Sequence, residues 1–488
     1  MGRAAGARAI AGLGVLSAAL YAAVPPLSAW LGLEPLRLHL AAFGAAFLLY
    51  LLALRLVWSG RARGRAALAL ILGFGLAFRL LVLWTPVYLS DDPYRYLWDG
   101  RVQWAGVNPY RHAPAAPELA WLRDQAVHPH INRPAAVTVY PPAAEWLFAL
   151  AAKATSGTLP GWRGLLLGAD ALTVGLLLRL LRRLGAPAEA VLAYAWSPLV
   201  VFEGIQAGHV DLALIPLVLL ALGLRMTGSS GRAGVALGGA VLVKLYPAIL
   251  VLAWWRRGDW RWPAAVAATV ALGYLPYAAT VGWGALGFLP TYLSDPYEDA
   301  NIGLRALVTY PFGFTDPLVR GPAMALFFGL LALLLVWIAR TSRPDGARLW
   351  RAAASAVGAY LFLVPTPMHP WYVLWLVPFL CVRPSPAALF FTGAVTLSYV
   401  QYLVDPPTLP AWAWLAEYGT LYALLLREWR AGRLGLEDLG RGRAEPEGVG
   451  SGGPAPAAAA PAGPGRARLD AGSPGPASPA GPAGATLP

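Results

Sequence analysis

Apolar positions of this chain form long blocks separated by short polar segments, instead of the brief alternations of a soluble domain. An α-helix needs about 20 apolar residues to cross the roughly 30 Å hydrocarbon layer of a bilayer. The pattern therefore predicts an all-α polytopic transmembrane helical bundle with about 11–14 membrane segments. The apolar runs cover residues 9–30, 38–58, 66–88, 164–184, 188–205, 209–225, 233–255, 262–282, 321–339, 348–364, 371–383, 385–404 and 411–427.

Two long polar stretches, 88–162 and 283–320, interrupt these runs. The first contains an apolar patch at 143–152 that is too short to span a bilayer. Pro141 and Pro142 precede the patch and Lys153 follows it, which predicts a short amphipathic helix lying on the membrane surface. Reading the patch as a span would put the later arginine clusters on the opposite side, against the charge rule for membrane proteins.

The run at 233–255 contains the sequence Lys244-Leu245-Tyr246-Pro247. Proline ends or kinks a helix, so the pattern predicts two half-helices that meet at this point. Broken helices at membrane depth are tolerated only where they line a cavity or are buried in protein. The break therefore indicates a candidate cavity.

Composition excludes an ordinary soluble enzyme, because 58% of the residues are apolar and only 13% are charged, against about 25% charged residues in soluble domains. The single cysteine, Cys381, excludes an intramolecular disulfide and a cysteine-based metal cluster. From about residue 431 the sequence turns rich in Gly, Pro and Ala, which predicts a disordered cytoplasmic tail at 431–488 behind a membrane body at 1–430.

The net charge of +13 does not indicate a nucleic-acid partner, because the basic residues form small clusters between apolar runs. Such clusters follow the positive-inside rule. They predict a multi-pass protein of the cytoplasmic membrane, with both termini in the cytoplasm and the two polar loops outside. The first apolar run is expected to remain as a membrane anchor, because no convincing signal-peptide cleavage site follows it.

The first polar loop opens with an acidic pair, Asp91 and Asp92. Carboxylates in this position can act as a general base, bind a divalent ion, or cap the following helix. Because Pro93 favours the first position of a helix, capping and function are equally reasonable interpretations for Asp92. Capping does not require Asp91, so function is the preferred interpretation for that residue.

Four further polar residues lie within or at the ends of apolar runs. Lys244 lies inside a run, where an ammonium is costly unless it is paired or hydrated; it either snorkels to an interface or faces an aqueous cavity as a phosphate-binding cation. His209 with Asp211, and His369, lie at predicted outer ends. Each histidine by itself is more often a packed structural residue than a catalyst. In the second loop, Glu298, Asp299 and Asn301 have an unspecific spacing that suits sugar hydroxyls or water.

These features together resemble the GT-C superfamily of integral-membrane glycosyltransferases, which use polyprenyl-phosphate sugars, and bacterial mannosyltransferase-like members most closely. The resemblance covers about residues 60 to 385. It is carried by the acidic pair, the aromatic-Pro-Pro start at Tyr140, Asp211 and Lys244 in family order, and by the His-Pro-Trp-Tyr sequence from His369. It implies an inverting transfer that requires no cofactor and for which a divalent cation is optional. It also implies an acidic base in the first loop, and Asp91 is the preferred match.

On this resemblance, the site residues fall into three groups. The candidate catalytic residues are Asp91 and Asp92; the candidate donor-phosphate ligands are Lys244, Arg95, Arg101 and His369; and the candidate substrate ligands are Asp99, Asn108, Tyr110, Tyr140, His209 and Asp211. Trp98 is a further aromatic candidate for stacking on sugar. We expect Asp91 and Lys244 to face one common cavity on the outer side.

The expected function is transfer of a hexose, with mannose preferred, from a polyprenyl-phosphate donor to a glycan or lipid acceptor on the outer face of the membrane. A polytopic transporter or lipid flippase is the alternative from another class. In that case Lys244 and Asp211 would bind substrate or couple to protons. A scaffold that recruits partners through the proline-rich tail is a third possibility. Expected partners are the donor, the acceptor and membrane lipids, with no nucleic acid.

Overall fold

The structure, a computed structural model, describes residues 3–31, 34–299, 301–341, 346–363, 367–382, 385–405 and 407–432, and within these ranges every regular element is helical. The α-helices are α1 (Arg3–Leu31), α2 (Pro35–Trp58), α3 (Arg65–Val82), α4 (Asp92–Trp104), α5 (Pro142–Ala154), α6 (Leu159–Arg183), α7 (Leu192–Ala195), α8 (Asp211–Met226), α9 (Ser230–Val243), α10 (Ile249–Ala253), α11 (Arg261–Val281), α12 (Leu289–Ser294), α13 (Leu304–Thr309), α14 (Pro317–Thr341), α15 (Gly346–Leu363), α16 (Pro386–Ala394), α17 (Ala411–Trp414) and α18 (Thr420–Arg430). The short 3₁₀ segments are Pro117–Leu122, His128–His130, Ala188–Val191, Tyr246–Ala248, Gly282–Leu286, Pro296–Glu298, Tyr310–Phe312, Pro370–Cys381 and Val395–Leu403, and Val200–Gln206 and Leu415–Gly419 are π-helical. Almost all of the predicted tail, residues 433–488, lies outside the described residues.

The described part contains six helical stretches long and apolar enough to cross a membrane, or seven if the bent pair Ala188–Ala195 and Val200–Gln206 counts as one span. The predicted all-α polytopic bundle is therefore confirmed. The number of such stretches is smaller than predicted, because several apolar runs fold into short or interrupted helices. The six stretches are Ala4–Ala23, Pro35–Trp58, Arg65–Val82, Leu159–Arg183, Arg261–Ser294 and Pro317–Thr341.

The basic clusters predicted to share one side lie at one end of the helices. Glu189 accepts a 2.6 Å hydrogen bond from the Gly64 amide at the start of α3, and Arg183 at the end of α6 donates to the Gly223 carbonyl in α8. Arg225 near the end of α8 pairs with Asp259, which precedes α11. The first loop lies at the opposite end of these helices, because it follows α3 and precedes α6.

A buried ion pair connects α3 and α6 inside the bundle. Arg79 donates to both carboxylate oxygens of Asp170, at 2.6 and 3.1 Å, and Tyr194 donates to the same carboxylate at 2.8 Å. Both charged side chains are only 3% exposed. Asp170 and Arg79 thus balance each other inside the bundle, where a charge is costly when unpaired.

Within the first loop, α4 and α5 pack closely at Gly100. A Cβ atom at this position would lie 2.1 Å from the Phe148 carbonyl oxygen, so only glycine permits the observed distance. The predicted short helix at 143–152 is confirmed as α5. Its polar Glu145 faces inward and accepts hydrogen bonds from Thr138 and Gln103, at 2.6 and 3.0 Å. The packing of α4 on α5 fixes the direction of α4, which carries the acidic pair at its start.

The predicted helix break follows α9. Glycines let α9 approach α11 closely, since a Cβ at Gly234 or Gly238 would lie 2.6 Å from the Cβ of Ala265 or Thr269. Lys244 then leaves the helix in an extended conformation, with φ −148° and ψ 143°. A 3₁₀ turn containing Pro247 connects it to α10. The prediction of two half-helices is confirmed, and the close packing of α9 fixes where the lysine emerges.

Candidate active site

A cavity of about 780 Å³ lies between the first loop, the break after α9, and α12. Acidic, basic and aromatic side chains line it together, although they come from distant parts of the sequence. The lining includes Leu36, Tyr88, Ser90, Asp91, Asp92, Arg95, Asn132, Arg133, Tyr140, Lys244, Tyr246, Ile249, Phe288, Tyr292, Leu293, Glu298, Phe328, Tyr360, His369, Trp371, Tyr372, Tyr399 and Tyr402. Asp91 and Lys244 therefore line one cavity, as expected from the sequence.

Neither aspartate of the acidic pair caps α4. Asp91 occupies the capping position, but its side chain makes no capping hydrogen bond, and the Asp92 amide instead donates to the Ser90 hydroxyl at 3.2 Å. The Asp92 carboxylate accepts from the Asn132 amide at 2.7 Å and from the Tyr96 hydroxyl at 3.4 Å. The capping interpretation of Asp92 is wrong, because its carboxylate binds Asn132 of the loop and Tyr96 one turn further along α4.

The two adjacent carboxyls have opposite electrostatic environments. Burial tends to raise the pKa of Asp92, but His209, the Lys244 ammonium and the Asn132 amide outweigh it, so the pKa of Asp92 lies below its ordinary value. Partial burial and the neighbouring Asp92 charge raise the pKa of Asp91. Asp92 is thus the carboxyl held in its charged form by the surrounding residues.

Lys244 places its ammonium at the cavity wall. Its Nζ atom lies 3.4 Å from Oδ2 of Asp211, and the side chain is 15% exposed while that of Asp211 is fully buried. The ammonium also lies over the rings of Tyr140 and Tyr372, at 5.2 and 5.4 Å from their centres. The lysine is therefore a paired cation beside a cavity and does not snorkel. Asp211 itself is absent from the lining and acts as the lysine's counter-ion.

Two arginines add positive charge to the same cavity. Arg95 is held by Asp99, whose two carboxylate oxygens lie 2.9 Å from Nε, while Nη1 donates to the Ala136 carbonyl at 3.0 Å. The Nη2 atom of Arg95 is buried and has no hydrogen-bond partner among the residues that the structure describes. Arg133 pairs with Glu298 and so connects the first loop to the second. Asp99 supports Arg95 from behind and does not line the cavity.

Apolar residues make one side of the cavity continuous with the outer surface of the bundle. Leu293 from α12 and Phe328 from α14 both line the cavity and are 41% and 44% exposed. Since α14 is one of the helices suited by length and composition to span a membrane, this side of the cavity adjoins a helix that can lie among lipid chains.

The two histidines at predicted helix ends stack on the same tryptophan. The centre of the Trp371 ring lies 4.0 Å from the centre of the His209 ring and 4.3 Å from the centre of the His369 ring. The ring planes are almost parallel in both cases. Burial lowers the pKa of His209 to about 3 and that of His369 to about 4, so both rings are neutral at neutral pH. His369 lines the cavity, whereas His209 is fully buried behind it.

Several predicted site residues lie away from the cavity. The Arg101 guanidinium pairs with Asp124 at 2.7 Å and donates to the Leu122 carbonyl. Asn108 binds the Thr280 hydroxyl at 2.6 Å, and Tyr110 packs on Tyr277 in a separate small apolar cluster. Trp98 is buried beside His128. These side chains stabilise the first loop and its contact with α11.

The second-loop polar residues form internal contacts. Asp299 pairs with Arg305 at 2.7 and 2.8 Å and with Arg320 at 2.7 Å, while the Asn301 amide donates to the buried Glu417 at 3.0 Å. Both Asp299 and Asn301 are therefore already occupied inside the protein. Of the three acidic or amide candidates in this loop, the cavity includes Glu298.

Sequence reasoning missed Asn132 and Arg133, as well as the tyrosines contributed by the distant helices. Asn132 and Arg133 stand in a loop rich in polar residues and have no distinctive spacing. Tyr292 of the second polar stretch and Tyr372 of a later apolar segment both line the cavity and share a 2.9 Å hydrogen bond. Only the Trp-Tyr pair after His369 had a sequence signal, because it belongs to the motif that carried the resemblance.

The described residues contain no group of three or more His, Cys, Asp or Glu side chains arranged to hold a metal ion. The cavity is lined by the carboxylates of Asp91, Asp92 and Glu298 together with the cations of Lys244, Arg95 and Arg133. Such a site can accept a proton from a hydroxyl at one position and stabilise a leaving phosphate at another.

Comparison with known protein families matches residues 138–367 to the model of glycosyltransferase family 87. This region is slightly less than half of the chain, and it includes Tyr140, His209, Asp211 and Lys244. The match supports a membrane glycosyltransferase of the GT-C type. Searches of curated proteins and of solved structures give no match to this chain.

Proposed function

We propose that this protein transfers a hexose from a polyprenyl-phosphate donor to a hydroxyl of a glycan or lipid acceptor, with inversion at the anomeric carbon. Mannose is the first sugar to test, because the sequence resembles mannosyltransferase-like members. The proposal requires no cofactor. The single observation that carries it is the cavity in which Asp92 and Asp91 stand together with Lys244, Arg95 and Arg133.

The cations suit the departing phosphate. As the bond between the sugar and the phosphate breaks, negative charge develops on the phosphate oxygens, and fixed cations stabilise it most strongly where water is excluded. Lys244 is held by Asp211, and the unpartnered Nη2 of Arg95 provides a free donor. His369 lies at the same wall as a neutral side chain that can donate or accept a hydrogen bond. Arg133 is the fourth side chain that we propose binds the departing phosphate.

The apolar side of the cavity suits a lipid-linked donor. A polyprenyl chain must stay among lipid chains while its phosphate reaches the polar groups. The exposed Leu293 and Phe328 line a path between these two environments. We place the reaction on the outer face of the cytoplasmic membrane, because the positive-inside rule puts the arginine-rich helix ends in the cytoplasm.

We assign the general base to Asp92, although sequence comparison alone favoured Asp91. Asp92 is held by Asn132 and lies close to Lys244 and His369, whereas Asp91 is exposed at the rim. In an inverting displacement the acceptor oxygen attacks the anomeric carbon opposite the leaving phosphate. The base accepts the hydroxyl proton as the new bond forms.

The test is a transfer assay with purified protein and a synthetic polyprenyl-phosphate hexose. We expect measurable transfer by the wild type, and a loss of roughly 10²- to 10⁴-fold in kcat for Asp92→Asn, the range typical of a general base. Asp124→Asn is the matched control, since this first-loop carboxylate pairs with Arg101 outside the cavity. Absence of transfer by the wild type with mannose, glucose and galactose donors would reject the proposal.

A further inference from the structure

His209 is fixed directly behind the start of α4. The preceding Gly208 has a positive φ of 76°, and a Cβ there would lie 3.6 Å from the Cγ atom of Pro93, the residue after Asp92. The Trp162 indole also donates to the Gly208 carbonyl at 2.7 Å. This segment is therefore fixed against the helical turn that carries Asp92.

The hydrogen bonding of His209 determines which ring nitrogen holds the proton. Nδ1 lies 3.0 Å from the Glu203 carbonyl oxygen, and because a carbonyl can only accept, Nδ1 carries the hydrogen of the neutral ring. Nε2 then has a free lone pair. This atom is buried without a hydrogen-bond partner within the described residues, which is uncommon for a polar atom in a protein interior.

Charged and titratable groups surround the ring on several elements. Asp92 of α4 is its strongest charge neighbour, and Lys244 and His369 act on it from the cavity side. On the far side, the Glu203 carboxyl lies 3.4 Å from Nδ1, and the Tyr399 hydroxyl donates to it at 2.9 and 3.0 Å.

We propose that His209 is a positioning residue that acts through Asp92: its Nε2 atom accepts a hydrogen bond from the Asp92 carboxyl once that carboxyl has taken the proton of the acceptor hydroxyl. This inference rests on the proposed function. In the step, the acceptor oxygen bonds to the anomeric carbon, and the bond from that carbon to the phosphate oxygen breaks with its electron pair going to the prenyl phosphate. The hydroxyl proton passes to the Asp92 carboxylate, whose new O–H donates to Nε2, and it leaves from Asp92 through the cavity, to the phosphate or to water, when the product departs.

This relay of hydrogen bonds, from the acceptor through Asp92 to His209, answers a difficulty that the Asp92 environment creates. The neighbours of Asp92 favour its charged form, so its protonated form needs a partner of its own. The lone pair of Nε2 supplies an acceptor that only the protonated carboxyl can use, because a carboxylate has no hydrogen to donate. Stacking on Trp371 keeps the ring in one orientation for this hydrogen bond.

The first test compares His209→Asn with the wild type. The asparagine side chain can still donate a hydrogen bond to the Glu203 carbonyl, but it places no basic atom at the Nε2 position. We expect kcat to fall at least tenfold while the KM for the donor stays unchanged, because His209 does not line the cavity. His128→Asn is the matched control, since His128 lies outside the cavity beside the Pro114 carbonyl. A wild-type kcat in folded His209→Asn would overturn the inference.

The second test does not depend on the folding of the asparagine variant. In His209→Gly, added imidazole should restore kcat at least fivefold, whereas pyrazole, which has the same shape and is a much weaker base, should not. Equal rescue by both compounds, or no rescue by imidazole in the folded variant, would overturn the relay. If the wild type itself shows no transfer, the proposed function fails instead, so the two failures are distinguishable.

Discussion

Lys244 offers the sharpest test of how the cavity binds its donor. Methionine at this position keeps most of the length of the side chain and removes the ammonium. Lysine occurs at only one other position of the chain, Lys153. There the ammonium lies 4.7 Å above the Trp104 ring, outside the cavity. Lys244→Met and Lys153→Met therefore remove the same charge from two different places.

The expected size of the effect follows from the position of the ammonium. Its Nζ is at the cavity wall, 3.4 Å from the Asp211 carboxylate and only 15% exposed. A hydrogen bond to a charged group contributes about 1.5–3 kcal/mol. Since about 1.4 kcal/mol corresponds to a tenfold change, kcat/KM for the donor should fall roughly 10- to 150-fold in Lys244→Met.

The assay measures kcat/KM with the polyprenyl-phosphate hexose, together with the thermal unfolding temperature of each variant. Lys244→Met leaves the Asp211 carboxylate without its cation, so the double variant Lys244→Met/Asp211→Asn separates lost binding from lost stability. Lys153→Met should retain the wild-type kcat/KM. An unchanged kcat/KM in folded Lys244→Met would refute the assignment of Lys244 to the donor phosphate.

Three further predictions follow from the same contacts. Because the pKa of Asp92 is lowered, the base stays charged and activity persists until the pH falls through that pKa, so the acidic limb of the rate profile should lie below the ordinary pKa of an aspartate in protein that remains folded. A limb above that ordinary pKa would instead indicate Asp91, whose pKa is raised. Arg101→Met should keep kcat/KM within about threefold of the wild type in the transfer assay, because its charge pair lies outside the cavity. Asp170→Leu should destabilise the bundle by about 3–5 kcal/mol in denaturant unfolding, because Arg79 is left buried and unpaired, and Arg79→Met/Asp170→Leu should recover most of that loss.

Much of the architecture was predictable from local pattern. Apolar block length predicted the membrane body, and the Lys244-Leu245-Tyr246-Pro247 sequence predicted the broken helix that α9 and α10 form. Lys244 was also recognisable as a cavity residue, because an ammonium inside an apolar run must find a partner. These predictions succeed because each depends on a short continuous stretch of sequence and on the high cost of burying an unpaired charge.

Which residues line the cavity was less predictable from the sequence. Arg95 and Arg101 stand in one helix, six residues apart, and looked equivalent in sequence, yet Arg95 lines the cavity and Arg101 pairs with Asp124. Positions six residues apart point to different faces of a helix. The face that meets the cavity is set by how α4 packs on α5, and no local signal specifies that packing.

The amino-acid sequence by itself determined that this is an all-helical polytopic chain with a polar loop and a lysine at a helix break, because hydrophobic block length and charge placement act locally. Only the tertiary structure decided that Asn132 binds Asp92, that Asp211 balances Lys244, and that His209 lies behind the cavity. Each of these relations joins elements far apart in the chain. Such pairings depend on which helix faces meet, and that is fixed by the packing of the whole bundle and not by any single segment.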